Sequence, residues 1–146
     1  MTNYVYMGHD TWATPDGRGK GEPLSAAIDP SLGVDLEGPT KLHKSAAKID
    51  TWRATNGVLF NCRFTTAAVA GERELRKWAD LVRTYILLRG QTVQYTVVDT
   101  EAMKEAQKRP DEYKDLIVRT GGYSAVFVEL DKEVQDSIIA RTEHHF

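Results

Sequence analysis

The chain has 146 residues, of which 41% are apolar and 27% charged, and a formal net charge of -2. This length and composition are typical of one globular domain and not of a disordered tail. The charge does not favour binding to nucleic acid, and no run reaches the ~18 apolar residues of a membrane span. A single cysteine, Cys62, excludes an internal disulfide, and the N-terminus lacks a signal-peptide pattern, so we expect a cytoplasmic protein.

Residues 1–70 show little sustained periodicity, and turn-forming residues dominate them. A loop segment this long is uncommon in a compact domain, so we expect it to lie on another surface. Residues 1–55 are expected to be poorly packed or extended in isolation, without a compact core that buries Trp12 and Trp52. Residues 57–61 form a short apolar run that predicts a strand. The turn signals are Thr14-Pro15-Asp16-Gly17, Gly19-Lys20-Gly21-Glu22-Pro23, Asp29-Pro30 and Glu37-Gly38-Pro39.

From residue 72 the patterns become regular. Apolar residues at helical spacing predict a helix over 72–88, which Gly90 is placed to stop. Alternation in the segment 92–97 predicts a half-buried strand that places Val93, Tyr95 and Val97 on one face. A short helix follows, with Thr100 as its cap, and Pro110 ends it. The apolar face of the first helix consists of Leu75, Trp78, Val82, Tyr85 and Ile86.

Two apolar runs, 116–118 and 125–128, flank the pair Gly121-Gly122. Asp131 is placed to cap a last helix, in which Val134 and Ile138 fall on one face. The order of helices and strands predicts an α+β fold, with helices around a few strands and a glycine loop. We expect a division into a loop-rich segment, 1–70, and a C-terminal domain, 71–146.

The glycine pair has two interpretations that periodicity alone leaves open. Gly-Gly between apolar runs is typical of a two-residue hairpin turn, because glycine adopts positive φ without strain. Glycine is also the residue whose Cα best supports an unpaired electron. With no side chain, the Cα becomes planar after loss of a hydrogen atom, and the electron delocalises between the amide nitrogen and the carbonyl.

The residues around the pair resemble a known signature. Arg119-Thr120-Gly121-Gly122-Tyr123 is similar to the R-V-[S/A]-G-Y signature of glycyl radical enzymes, and the following residues resemble the closing helix of that family. Upstream, Arg89-Gly90-Gln91 with the segment 93–97 resembles the family's G-G-x-x-x-Q-x-N-V segment. Pro110-Asp111-Glu112-Tyr113 resembles its P-E-x-Y turn.

The resemblance extends to the first half of the chain. Residues 14–18 and 21–25 resemble the T-P-D-G-R…G-E-P-L-S segment of the late barrel region of these enzymes, and residues 38–40, 44–50 and 56–61 follow the same template. Residues 4–12 resemble the hydrocarbon-adding succinate synthases of the family, whereas the tail resembles its decarboxylase and lyase branches. Nearly the whole chain is thus similar to the C-terminal portion of a larger enzyme.

This resemblance implies that Gly122 carries a glycyl radical, with Arg119, Gly121 and Tyr123 as its neighbours in the loop. A radical S-adenosylmethionine activating enzyme with an iron–sulfur cluster would install the radical, and the chain itself would bind no cofactor and no metal. Gly122 would then pass the radical to a cysteine on a large barrel domain or subunit. The chain is therefore expected to be an oxygen-sensitive component of an anaerobic lyase-type or hydrocarbon-adding enzyme, not complete on its own.

The sequence departs from the family pattern at two points. Thr120-Gly121 stands where Val and then Ser or Ala are common, so the radical site is Gly122 by alignment on Tyr123, with Gly121 the alternative. The G-C-V-type motif of the catalytic cysteine is missing, and Cys62 lies where the family has no catalytic cysteine. We interpret Cys62 as a half-buried structural thiol.

Other features carry weaker functional hypotheses. The segment 17–21 lacks the spacing of a phosphate loop, and the histidines, including His145, show no metal-ligand spacing. Two rival functions remain for the chain. One is a stand-alone spare part that repairs an oxygen-cleaved lyase, and the other is a purely structural α+β module whose glycine pair is a turn.

Overall fold

The computed structural model describes residues 3–120, 122–141, 143–144 and 146. Short 3₁₀ turns at 51–53, 66–69, 110–112 and 127–129 connect the regular elements. The helices are α1 (Asn3–His9), α2 (Pro39–Ala46), α3 (Glu72–Leu87), α4 (Thr100–Lys108) and α5 (Lys132–Ile139). The strands are β1 (Leu59–Phe64), β2 (Thr92–Val97), β3 (Ile117–Thr120), β4 (Tyr123–Val126) and β5 (Glu143–His144).

A parallel sheet has β1 at its centre. β1 pairs with β2 along its whole length, from Leu59 opposite Thr92 to Phe64 opposite Val97. On its other edge β1 pairs with the two residues of β5. β3 and β4 form a separate antiparallel hairpin. This mixture of helices with a few strands confirms the predicted α+β class.

The apolar interior forms two clusters. The first, which we call the hairpin core, joins α1, α4, α5 and the β3–β4 hairpin. The second, the sheet core, lies between β1 and the helices α2 and α3. Both clusters draw residues from either side of position 70, and the division of the chain there stays a prediction. The hairpin core is Val5, Met103, Ala106, Val118, Phe127, Val134 and Ile138. The sheet core is Ala46, Phe60, Cys62, Phe64, Ala68, Leu81 and Tyr85.

Most predicted elements of the second half are confirmed, with small corrections. The helix over 72–88, the strand 92–97 and the helix 100–108 lie where they were predicted. Thr100 is not the cap of α4: Asp99 holds that position, while the Thr100 amide and hydroxyl donate to the Glu143 carboxylate. Asp131 precedes α5 as predicted but caps it without a side-chain hydrogen bond.

The buried face of α3 differs from the prediction. Leu75 and Ile86 are 47% and 61% exposed, whereas Leu81 and Tyr85 are buried and Trp78 packs against the same core. Residues 78, 81 and 85 lie at i, i+3 and i+7 on one narrow stripe, and that stripe faces β1. An apolar residue next to the stripe satisfies the same periodicity without being buried.

The first half of the chain contains more structure than its sequence predicts. α1 and α2 bury Val5 and His43, so the expectation of an extended segment is wrong for these helices. A helix of seven or eight residues is too short to reveal its buried face by periodicity. Residues 10–38 form turns and bends without helices or strands, and Trp12 and Trp52 are 73% and 65% exposed.

Candidate functional site

The β3–β4 hairpin presents Gly122 at its tip. Thr120 pairs with Tyr123, which leaves two residues in the connection, and Gly122 has a φ of +87°. An L-residue with a side chain is strained at this φ, whereas glycine is not. The hairpin turn that the glycine pair predicts therefore exists, and Gly122 lies exposed at its tip.

The surroundings of Gly122 leave its Cα open. The residue is exposed, and a Cβ built on it would meet Leu59 Cδ2 at 3.9 Å, which is an ordinary contact distance. The backbone conformation, and not a lack of space, is therefore what selects glycine here. Leu59 begins the central strand β1, so the hairpin tip lies beside the sheet.

Arg119 reaches across the turn to the backbone of Gly122. Its Nη2 donates a hydrogen bond to the Gly122 carbonyl oxygen at 3.2 Å. Arg119 follows the buried Val118 in β3, and successive strand residues point to opposite faces. Tyr123, on the other side of the turn, is 66% exposed.

Gln135 fixes the chain that leaves the hairpin. Its Nε2 donates to the carbonyls of Phe127 at 3.1 Å and Leu130 at 2.9 Å. Phe127 is fully buried, and its amide donates to the carbonyl of Leu116 at 2.8 Å, which closes the base of the hairpin. Helix α5 is thus hydrogen-bonded to the turn after β4, at the base of the hairpin that carries Gly122.

A cavity of about 690 Å³ lies beside the hairpin, with Arg119 on its wall. Asp29 also lines it and accepts from the Asn61 amide at 2.6 Å and from Asn61 Nδ2 at 2.9 Å. Burial raises the pKa of Asp29 to about 6, against these hydrogen bonds and Arg141. Asp35 also raises this pKa, and its carboxylate lies 3.2 Å from His144 Nε2.

The family model for the glycine radical matches residues 24–128, which include the Gly122 hairpin. The chain belongs to the glycyl radical enzyme family. It is similar to the trans-4-hydroxy-L-proline dehydratase of Clostridioides difficile, with 45% identity over 99% of this chain and 18% of that protein. It is also similar to the (2S)-3-sulfopropanediol dehydratase of Klebsiella oxytoca, with 43% identity over 97% of this chain and 18% of that protein.

A solved structure in this glycyl radical enzyme family has the same fold. The glycerol-bound form of the B12-independent glycerol dehydratase from Clostridium butyricum matches with a TM-score of 0.95 and 47% identity. The match covers 98% of this chain and 18% of that one. The chain thus spans about 18% of the length of the curated relatives described above.

Three of the four site residues predicted from the glycyl radical signature lie in the described part of the chain. Arg119, Gly122 and Tyr123 lie together at the hairpin, whereas Gly121 lies outside the described residues, as does His145. Sequence reasoning did not assign a role to Gln135 beyond its place in the closing helix. An amide buried in an amphipathic helix is the signal that identifies such a side chain.

Cys62 is 4% exposed, so it is more buried than predicted. Burial raises the pKa of its thiol, which keeps the sulfur protonated. His43 is buried as well, with Nδ1 at 2.7 Å from the Pro39 carbonyl and Nε2 at 2.9 Å from the Tyr95 hydroxyl. Among the residues that the structure describes, no group of three or more His, Cys, Asp or Glu side chains is placed to hold a metal. Within the same residues, none of the helices has the length and hydropathy needed to cross a bilayer.

Proposed function

We propose that Gly122 stores an unpaired electron on its Cα and so serves as the radical-bearing part of a larger glycyl radical enzyme. One observation carries the proposal: in a chain of this family, a glycine matching the signature lies exposed at a hairpin tip with a φ of +87°. A side chain there would strain the backbone and obstruct the approach to the Cα hydrogen.

The radical forms by transfer of one hydrogen atom. A 5′-deoxyadenosyl radical, made when an activating enzyme reduces S-adenosylmethionine by one electron, takes the hydrogen atom from the Gly122 Cα. One C–H bond breaks at Gly122 and one forms in 5′-deoxyadenosine, and the unpaired electron remains on the backbone. The 66% exposed Tyr123 and the exposed Gly122 make the hairpin tip accessible to such a partner.

The Gly122 radical takes a hydrogen atom from the thiol of a cysteine in a part of the enzyme outside this chain. The S–H bond breaks, the Cα–H bond of Gly122 forms again, and the unpaired electron remains on the sulfur as a thiyl. The chain matches only about 18% of the length of these relatives, which supports the existence of a larger partner domain or subunit. Cys62 is a poor candidate for that thiyl, because it is buried in the sheet core and belongs to its packing. Arg119 and Tyr123 hold the loop in this proposal, and because oxygen would destroy the radical we expect the protein to act under anaerobic conditions.

The reaction of the complete enzyme is of the lyase type in this proposal. The relatives described above are named as dehydratases of hydroxyproline, sulfopropanediol and glycerol, at 43–47% identity. These relatives share this segment and are named for different substrates, so similarity over the segment does not identify the substrate of this chain. The hydrocarbon-adding branch is the less supported alternative.

Electron paramagnetic resonance after anaerobic incubation with a radical S-adenosylmethionine activating enzyme tests the proposal. We expect a doublet, because the one remaining hydrogen on the Gly122 Cα splits the signal. Labelling with glycine deuterated at Cα should collapse it to a singlet. Gly122→Ala should abolish the doublet, whereas the matched control Gly33→Ala, at an exposed turn with a φ of +79°, should retain it.

The other interpretations predict different results. A silent spectrum from the activated wild-type chain would favour the purely structural module. A doublet that persists in Gly122→Ala and is lost in Gly121→Ala would move the radical to Gly121. If the activated chain restores turnover to an oxygen-cleaved lyase, it acts as a spare part. In air we expect the activated chain to break at position 122, which mass spectrometry of the fragments would detect.

A further inference from the structure

The carbonyl that Arg119 contacts belongs to the residue that carries the radical in our proposed function, on which this inference rests. Arg119 Nη2 lies 3.2 Å from the Gly122 oxygen. Within the described residues, Arg119 is the only side chain that hydrogen-bonds to Gly122, and no carboxylate there forms an ion pair with it. The guanidinium charge is therefore directed at one backbone carbonyl and is not neutralised by an acid.

The electronic structure of a glycyl radical makes this carbonyl important. The amide nitrogen donates electron density and the carbonyl withdraws it, so one resonance form places negative charge on the Gly122 oxygen. A cationic donor at that oxygen stabilises this form more than it stabilises the closed-shell amide, as a preorganised donor stabilises a developing oxyanion. Arg119 and Gly122 are both exposed at the hairpin tip, so the charge acts on the carbonyl through this direct hydrogen bond.

We propose that Arg119 tunes the radical electronically: its guanidinium polarises the Gly122 carbonyl, weakens the Gly122 Cα–H bond and draws spin density from Cα toward the amide. This role goes beyond holding the loop in place. A purely structural arginine would change how often the tip adopts its conformation, but not the spin distribution of the radical once it has formed. The spin distribution is therefore the property to measure.

Comparison of Arg119→Gln and Arg119→Lys with wild type tests this role. With spin no longer drawn from Cα, we expect a larger splitting by the Cα hydrogen in Arg119→Gln and a several-fold lower yield of radical at a fixed amount of activating enzyme. Arg119→Lys, which retains a charged donor, should lie between the two. Arg83→Gln is the matched control, since Arg83 is an exposed arginine of α3 that pairs with Asp80 at 3.2 Å.

A second measurement needs no activation. In the full chain labelled with ¹³C at glycine carbonyls, the resonance lost in Gly122→Ala identifies Gly122. Arg119→Gln should move that resonance upfield, and guanidinium ions added to Arg119→Ala should partly reverse the corresponding shift. An unchanged carbonyl resonance would overturn the inference whatever the radical yield.

The outcomes separate this inference from the proposed function. A wild-type chain without a doublet contradicts the storage of a radical at Gly122 itself. A doublet whose splitting is the same in wild type, Arg119→Lys and Arg119→Gln supports radical storage and contradicts tuning by Arg119. A reduced yield with unchanged splitting also contradicts tuning, because it assigns Arg119 to recognition by the activating enzyme.

Discussion

At the scale of single residues, Asp29 combines burial with a carboxylate. Its side chain is 9% exposed, and Arg141 Nη1 lies 3.9 Å from its Oδ2. Burial opposes ionisation most strongly and Asp35 adds to it, so the pKa rises from 3.8 to about 6 despite the donors of Asn61. Asp29 therefore takes up a proton in the folded chain at a pH where the unfolded chain has released it.

We predict that Asp29 makes the fold less stable as the pH rises from 4 to above 6. A folded pKa above the unfolded value contributes stability that is present below pH 3.8 and lost through pH 6. The loss amounts to about 3 kcal/mol at most, given ~1.4 kcal/mol per unit of pKa. Urea unfolding at several pH values should show that the free energy of unfolding of Asp29→Asn rises relative to that of wild type as the pH increases from 4 to above 6. Parallel pH profiles for Asp29→Asn, wild type and the exposed control Asp115→Asn would contradict it.

The residues of the Gly122 hairpin could be predicted from the sequence, whereas the buried pair of Asp29 and Asn61 could not. Arg119, Gly122 and Tyr123 fall within five positions of one another, and a local signature contains them all. Asp29 and Asn61 are 32 residues apart, and their pairing depends on how the loop segment lies against β1. No local pattern encodes such a contact, so the buried acid was not predicted.

At the scale of elements, two neighbouring residues at the end of α3 have different structural roles. Arg89 adopts the left-handed conformation with a φ of +65°, although Gly90 was predicted to stop the helix. The amides of Arg89 and Gly90 donate to the carbonyls of Ile86 and Tyr85, both at 2.9 Å, in a Schellman arrangement. Gly90 is required for another reason: a Cβ there would lie 2.3 Å from the Tyr85 ring.

We predict different effects on stability for substitutions at Arg89 and at Gly90. Gly90→Ala should destabilise the chain by about 1–3 kcal/mol, because the added methyl group displaces the fully buried Tyr85. Arg89→Gly should stabilise it or leave it unchanged, within about 1 kcal/mol, because glycine relieves the positive φ. Thermal unfolding would measure both, with Gly19→Ala as a control that meets only the flexible Glu22 side chain. Equal destabilisation by Gly90→Ala and Gly19→Ala would refute the steric role of Gly90.

Elements with long periodic patterns were predictable, and short ones were not. The strand predicted at 57–61 is β1 at Leu59–Phe64, because pairing with β2 and β5, and not local alternation, sets its ends. β5 has two residues, and it exists through its pairing with β1. Tertiary contacts thus decided the short elements around the site.

At the scale of the whole molecule, a polar seam joins the hairpin core to the sheet core. Arg63 extends from β1, is 6% exposed, and donates from Nη1 to the Ile138 carbonyl at 2.8 Å. Its Nη2 donates to the carbonyls of Ile139 and Arg141 and to the Thr100 hydroxyl. One side chain of the sheet thereby satisfies the carbonyls at the end of α5, the helix that supports the Gly122 hairpin.

We predict that Arg63→Met uncouples the two cores. The substitution leaves buried carbonyls of α5 without donors, at a cost of about 3–5 kcal/mol. The loss of stability should be confined to the hairpin core, because the sheet core retains its own strand pairs and helices. Native-state hydrogen exchange should then show amides of α5 and β3 opening at much lower free energy than those of α3 and β1.

The matched control for this prediction is Arg76→Met, which removes an exposed arginine that pairs with Glu72 at 2.5 Å. An exposed pair contributes little to stability, so exchange in both cores should stay near wild type. If Arg63→Met instead lowers the protection of both cores equally, the chain unfolds as one cooperative unit and the seam is not a boundary. If it lowers the protection of the hairpin core alone, that core can open while the sheet core stays folded.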